Sequence, residues 1–279
     1  MPCGQIIKAI SGFFYVRTLT EVVQCRPRGI FKYEKKKLTP LVGDLVRYEW
    51  NGIDNGVITG IEPRKTELIR PSIANVDQAV IISSLCLPAF QQVNVDRFLV
   101  YGEYNKLKLI ICITKLDLTE DQSEVNIIRD MYESIGYPVI ATSIYSRIGL
   151  AKLQQYLSQR TSVFAGESGV GKSSLLQELV PGHSIPTGIV SQRLGRGKHT
   201  TKAVELLPLV CGGQVADTPG FSKLSLNSIP ISTLGDCFPE FRKYASRCFY
   251  RDCCHINEPR CEVLEAVRRG FIHKERYKS

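Results

Sequence analysis

Residues Gly166-Glu167-Ser168-Gly169-Val170-Gly171-Lys172-Ser173 fit the spacing G-x-x-x-x-G-K-[ST]. Glycines at these places let backbone N–H groups turn inward around phosphate oxygens, and a following helix adds positive potential at its N-terminus. In such a loop Lys172 reaches the β- and γ-phosphates, the Ser173 hydroxyl binds Mg²⁺, and Ser174 continues the set. Thr114-Lys115-Leu116-Asp117 offers a carboxylate that only accepts hydrogen bonds. Asp117 can therefore take both N1–H and N2–H₂ of guanine, donors that adenine does not present in that arrangement. The Lys115 stem can pack along the base, and Thr142-Ser143 is placed to offer a backbone N–H to the guanine O6. Asp217-Thr218-Pro219-Gly220 supplies a carboxylate that holds Mg²⁺ through water and, at Gly220, an N–H that senses the γ-phosphate. Read alone, Thr114–Asp117 is also compatible with a solvated turn after a strand.

The stretch Gly195-Arg196-Gly197-Lys198-His199-Thr200-Thr201 lies between the phosphate loop and Asp217. By position it is the first switch: Thr200 or Thr201 closes on Mg²⁺, and His199 is the candidate to orient or activate the attacking water. The residue after Gly220 is Phe221, whose ring cannot orient a nucleophile, so another group must. His199 taken by itself is equally an exposed loop histidine. A second constellation is Cys248-x4-Cys253-x-His255-x5-Cys261, three thiolates and an imidazole in the spacing of a structural Zn²⁺ site. Cys254 is left out because adjacent residues rarely both reach one ion. Cys86 and Cys112, in or beside apolar runs, are expected to pack.

These residues need elements to hold them. Residues 1 to about 70 alternate apolar and polar in short runs, at 6–18, 22–25, 29–33, 44–50 and 56–61, separated by turn signals such as Asn51-Gly52 and Asn55-Gly56. Five short strands suit a small barrel of OB type, with an SH3-like barrel open as the alternative. From residue 76 the pattern changes. Runs 76–85 and 107–114 are almost continuously apolar, as in parallel strands buried on both faces. Helical spacing at 95–104, 122–135 and 148–158 alternates with strands at 138–142, 162–165, 203–210 and 213–216. This is an α/β sheet with helices on both faces. The boundaries expected are a barrel at 1–70, an α/β domain at 71–227 and a cysteine-rich, then basic helical segment at 228–279.

With 279 residues, 43% hydrophobic and 23% charged, the composition is that of an ordinary globular protein. No apolar run reaches the roughly 18 residues of a membrane span, and the N-terminus lacks the features of a signal peptide. A cytoplasmic protein without membrane attachment is expected, its ten cysteines serving as thiols or metal ligands. The net charge of +9 favours a polyanion such as RNA, or marks a merely basic enzyme.

In an ordinary GTPase the phosphate loop precedes D-x-x-G, and N-K-x-D comes last; here T-K-x-D comes first. The order T-K-x-D, G-x4-G-K-S-S, G-R-G-K-H-T-T, D-T-P-G-F, C-x4-C-x-H-x5-C resembles the ribosome small subunit-dependent GTPase A (RsgA) family, the circularly permuted bacterial GTPases. That resemblance spans nearly the whole chain. It implies an OB-fold that contacts 16S rRNA, a circularly permuted P-loop GTPase domain, and a small C-terminal helical domain with one structural zinc. It also implies 30S-stimulated GTP hydrolysis in late small-subunit maturation, with hydrolysis timing release and His199 implicated in it. Mg²⁺ would accompany GTP or GDP, and a monomer is expected. Basic residues Lys35, Lys36, Lys37, Arg268, Arg269 and Lys274 are candidate RNA contacts. The other readings are a P-loop NTPase acting on another structured RNA and a non-catalytic RNA-binding zinc protein. Asp117 argues against an adenine pocket, and the set Lys172, Ser173, Thr200, Thr201 and Asp217 argues against loss of catalysis.

Overall fold

The computed structural model describes residues 2–28, 39–50, 55–119, 122–180, 182, 204–217, 226 and 229–279. Two compact units are present: Met1–Asp77 with Gln155–Phe164 and Leu176–Phe221, and Gln78–Gln154 with Ala165–Leu175 and Ser222–Ser279.

In the first unit, β1 (Cys3–Ile10), β2 (Phe13–Arg17), β3 (Val22–Pro27), β4 (Leu45–Trp50) and β5 (Gly56–Ile61) pair in the order β1-β2-β3-β5-β4. Strand β1 pairs again with β4, from Cys3↔Arg47 to Gln5↔Leu45, which closes an OB-type barrel and leaves its five strands no open edge. Alternate residues Val23 and Cys25, or Val46 and Tyr48, fill the interior, as the two-residue strand period requires. The run expected as one strand at 6–18 is two strands. Ser11, with φ +51, and Gly12 turn the chain back, and simple alternation gives no sign of such a turn. The expected strand 29–33 and the turn Asn51-Gly52 lie outside the described residues. Gly56 opens a strand instead of forming a turn: a Cβ there would meet the Cys25 sulfur at 2.7 Å.

Strands β6 (Glu67–Leu68) and β7 (Ile73–Ala74) form a small hairpin after the barrel. Beside it, Arg64 donates to both carboxylate oxygens of the buried Asp44 at 2.8 Å. Three further strands belong to this unit: β11 (Thr161–Ala165, its last residue excepted), β12 (Glu205–Pro208) and β13 (Gln214–Asp217). Strand β13 runs parallel to β11 and antiparallel to β12, and β12 pairs with β1 at Glu205↔Lys8. A Lys8–Glu205 ion pair at 2.7 Å marks this seam. Gln214 donates to both Gln5, at 2.8 Å, and Thr161, at 2.9 Å.

In the second unit β8 (Gln78–Ser84), β9 (Lys108–Thr114) and β10 (Val139–Ala141) run parallel in the order β10-β9-β8. Every residue of β8 is buried, which explains the apolar run 79–82 at its centre. Helices α1 (Gln92–Tyr104) and α2 (Ser123–Ile135) follow β8 and β9. Helices α3 (Leu150–Leu157) and α4 (Lys172–Leu179) follow β10 and β11. The C-terminal segment adds α5 (Ile231–Leu234), α6 (Pro239–Ala245), α7 (Glu262–Arg268) and α8 (Lys274–Lys278) around Phe238, Phe241, Val263 and Ile272.

Helix α8 is fastened to α1 by a charge with no access to water. Arg276 is 0% exposed; its Nε donates to Glu240 at 2.8 Å, and its Nη1 lies 2.6 Å from Asp96 Oδ1. The Nη1 contact is electrostatic, without the alignment of a hydrogen bond. Tyr132 donates to the same Asp96 oxygen at 2.7 Å, and the Phe238 ring lies 4.8 Å from the guanidinium. The neighbouring carboxylates overcome desolvation and hold the Arg276 pKa above its ordinary value. Replacing Arg276 with Met would strand two carboxylates. The expected loss is about 3–5 kcal/mol, measured as a lower urea midpoint with an unchanged denaturant slope.

Candidate nucleotide and metal sites

Strand β11 runs directly into loop 166–171, and α4 starts at Lys172, which is the strand–loop–helix order a phosphate cradle needs. Gly166 has φ +149, and a Cβ there would lie 2.1 Å from the Ile82 carbonyl oxygen, so the loop can sit over β8 only with glycine. The loop's outward N–H groups require its carbonyls to be satisfied from behind. Lys172 Nζ donates to Gly166 O at 2.8 Å and also to Glu167 O. Lys115 Nζ donates to Gly169 O at 2.7 Å and to Leu87 O. The Thr114 hydroxyl reaches Val170 O at 2.5 Å and Ser83 O at 3.1 Å; with one proton it serves one of them at a time. Thr114 and Lys115 are thus brought together with the phosphate loop, across more than fifty positions of sequence.

Leu116 and Asp117 lie in a 3-10 turn after β9, which Lys115 enters with φ +58. Asp117 is exposed, and its Oδ1 accepts from the Ser143 hydroxyl at 2.5 Å, so the second expected base-contacting pair lies beside the first. Thr142 is buried against β9, donating its N–H to Ile113 O at 2.6 Å. Ser143 in turn accepts from Ser146 N at 3.2 Å. Ser168 and Ser173 are exposed and Ser174 is half-buried. Burial draws the Lys172 ammonium down to about 8, opposed by the neighbouring Glu167 carboxylate. Asp217 ends β13 in the first unit, opposite Glu205. His199, Thr200, Thr201, Gly220, Phe221, Lys35, Lys36 and Lys37 lie outside the described residues.

Sequence reasoning missed the stretch from the end of β8 to the first turn of α1. Besides Leu87 O on Lys115, Ser84 Oγ donates to Pro88 O at 2.8 Å, and Asn94 donates to the Glu167 carboxylate at 2.7 Å. Nothing in Leu-Pro-Ala-Phe-Gln-Gln-Val-Asn announces a partner 73 positions away. Cys112 is buried as expected, its thiol pushed up to about 12 by desolvation. Cys86 sits half-buried near the Leu118 carbonyl.

The ligating atoms of Cys248, Cys253, His255 and Cys261 all lie within 4.8 Å of one another. Cys248 Sγ lies 3.8 Å from Cys261 Sγ and 3.6 Å from His255 Nδ1, which in turn is 3.4 Å from Cys261 Sγ. A tetrahedron with metal–sulfur bonds of about 2.3 Å has edges near 3.8 Å, so the donor set fits one ion. Cys254 is exposed and directed to the Asp252 carbonyl, outside the cluster. Outer contacts fix the ligands: Tyr277 donates to His255 O at 2.7 Å, Leu264 N donates to Cys261 Sγ at 3.5 Å, and Glu258 accepts from the N–H groups of Cys254, Ile256 and Asn257. Arg268 and Arg269 are exposed and paired with Glu265.

Two family models match: RsgA GTPase over residues 61–227 and RsgA N-terminal domain over residues 3–58. A small ribosomal subunit biogenesis GTPase RsgA of Geobacillus kaustophilus is 51% identical, covering 99% of this chain and 94% of its own. Its Bacillus subtilis counterpart is 48% identical over the same shares. Among solved structures, YloQ, described as a circularly permuted GTPase, aligns at TM-score 0.82 and 44% identity, covering 100% of this chain and 92% of its own. YjeQ from Thermotoga maritima aligns at 0.85 and 35%, covering 99% and 95%. The purified protein is expected to carry one bound metal ion by elemental analysis. Cys253→Ser should lose it and unfold the C-terminal segment first, since metal binding at such a site is folding free energy. An unaltered protein prepared without chelator that carried no metal would contradict this.

Proposed function

The chain belongs to the RsgA family of GTPases, and from that premise we propose that it binds the small ribosomal subunit through 16S rRNA. It hydrolyses GTP in a 30S-stimulated manner late in subunit maturation, and hydrolysis times its release. The observation that carries this reading is the pair of hydrogen bonds from Thr114 and Lys115 to the phosphate-loop carbonyls. They support one shared pocket for a guanine base and its phosphates. The names of the relatives support the ribosomal partner. Residues 1–70 form the RNA-contacting barrel, 71–227 the GTPase domain and 228–279 the zinc-binding domain. The reaction takes place in the cytoplasm, on a monomer.

In this mechanism Asp117 accepts from guanine N1–H and N2–H₂, and Ser143 holds that carboxylate in place. The backbone N–H groups of residues 166–171 and the start of α4 surround the phosphates, and Gly220 senses the γ-phosphate. Lys172 leaves the Gly166 and Glu167 carbonyls for the β- and γ-oxygens, where it neutralises charge that grows in the transition state. Ser173, Asp217 and the threonines Thr200 and Thr201 would hold Mg²⁺, which supplies further charge neutralisation when bound. His199 orients the attacking water, whose oxygen bonds to the γ-phosphorus as the bond to the β-bridging oxygen breaks, giving GDP and phosphate. Zn²⁺ in the Cys₃His site is structural.

Two measurements test the reading. Asp117→Asn should weaken GTP binding and favour xanthosine nucleotides, because an amide can donate to the extra carbonyl of xanthine; an unchanged GTP, ATP and XTP ranking would remove the basis for guanine. GTP turnover, compared with and without purified 30S subunits, should rise with them. His199→Ala should then lower the stimulated rate by about 10²-fold with nucleotide affinity retained. Turnover indifferent to 30S would sink the ribosomal reading.

A further inference from the structure

The nucleotide and metal sites leave unused an exposed aromatic pair in the C-terminal segment. Phe249 and Tyr250 are 62% and 44% exposed, and their rings meet edge to face at 5.0 Å and 85°. The Arg260 guanidinium lies 5.0 Å from the Phe249 ring centre, and Phe249 N donates to Arg260 O at 3.4 Å. Phe249 directly follows the ligand Cys248, and Arg260 directly precedes the ligand Cys261. Closing the metal site therefore holds this ring and this guanidinium together. Arg260 has φ +58, the left-handed region that a side-chain-bearing residue avoids unless its surroundings impose it.

The charge around the pair is positive. Arg247 and Arg251 are exposed, and among the described residues neither has an ion-pair partner. Of the two acids in this loop, Asp252 is exposed, while the Glu258 carboxylate is taken up by three backbone N–H groups. Two rigid rings left in water and flanked by unpaired guanidinium groups suit a partner that is both flat and anionic.

We propose that Phe249 and Tyr250 form a stacking platform for unpaired RNA bases, with Arg247, Arg251 and Arg260 meeting the adjoining phosphates. The inference rests on the ribosomal reading above and deepens it by naming the form of RNA this surface takes. Any base offers a π-face to a ring, so such contacts tolerate any sequence but need the base out of its duplex. Arg260 covers Phe249 by a cation–π contact, so the ring is already oriented when RNA arrives. The metal site thereby acquires a purpose beyond stability: it removes the flexibility that stacking would otherwise have to overcome.

The test uses the full chain with its metal, titrated at one salt concentration with a short oligouridine and with a blunt RNA duplex. The double variant Phe249→Ala/Tyr250→Ala should lose on the order of tenfold or more in affinity for oligouridine, with duplex affinity unchanged and the bound metal retained. Phe249→Trp should keep oligouridine binding. No loss on oligouridine, or equal losses on both RNAs, would overturn the platform. Co-sedimentation with 30S subunits separates the two readings. An unaltered protein that ignores the subunit yet shows the oligouridine pattern would overturn the ribosomal reading and support the platform. A double variant that loses the subunit while keeping oligouridine would point to a protein contact and overturn the platform.

Discussion

A loop that turns its N–H groups toward an anion must turn its carbonyls the other way, and a carbonyl buried without a donor costs about 1–3 kcal/mol. That constraint organises the nucleotide site. Four carbonyls of the phosphate loop, those of Gly166, Glu167, Gly169 and Val170, accept from only three side chains: Lys172, Lys115 and Thr114. Two of the three donors, Thr114 and Lys115, belong to the element proposed to select the base, so in that reading base and phosphate recognition share one scaffold. The threonine at 114 narrows the margin, since an amide would bring two N–H donors to Val170 and Ser83, whereas a hydroxyl brings one.

The same hydrogen bonds explain why the order of motifs along the chain is free to change. Thr114 and Val170 are 56 positions apart, and their contact depends on where β9 and β11 end and not on the order in which the chain visits them. Moving the chain's ends leaves that contact intact and changes what is joined to it. Here the sheet strand β13 leads from Asp217 into the segment that carries the metal site. Strand β12, which follows in sequence the stretch proposed as the first switch, pairs with barrel strand β1 at Lys8↔Glu205.

Elements whose identity is written in a local period were legible. Run 56–61 reappears as β5, and helix 122–135 reappears one residue shorter, ending at Gly136 with φ +109. Local spacing was also enough for the metal cluster, because four ligands within fourteen positions leave the chain few ways to miss one ion. What escaped was long-range or counter to type. The Asn94–Glu167 hydrogen bond joins the first turn of α1 to the phosphate loop, two stretches with no mutual signal. Ser11 turns the first hairpin with a conformation its side chain does not advertise. Arg276 stands among Lys274, Glu275 and Lys278, a setting that reads as a solvated basic tail; only the positions of Asp96 and Glu240 reveal it as interior.

The buried arginine is best understood from the small size of the segment it belongs to. Phe238, Phe241, Val263, Ala266 and Ile272 make a core too slight to fix its own geometry, since little apolar surface is available to offset chain entropy. Apolar packing alone would also leave the short helix α8 free to slide. A guanidinium that must meet Asp96 on α1 and Glu240 on α6 at once tolerates one register, because any other leaves charge buried without a partner. Ion clusters of this kind add little net stability over an apolar equivalent, and their effect is on uniqueness. An ion held by Cys248, Cys253, His255 and Cys261 would restrain the intervening loop in the same way, by donor geometry instead of volume. A segment held by directional bonds at both places can leave large rings such as Phe249 and Tyr250 in water without collapsing around them.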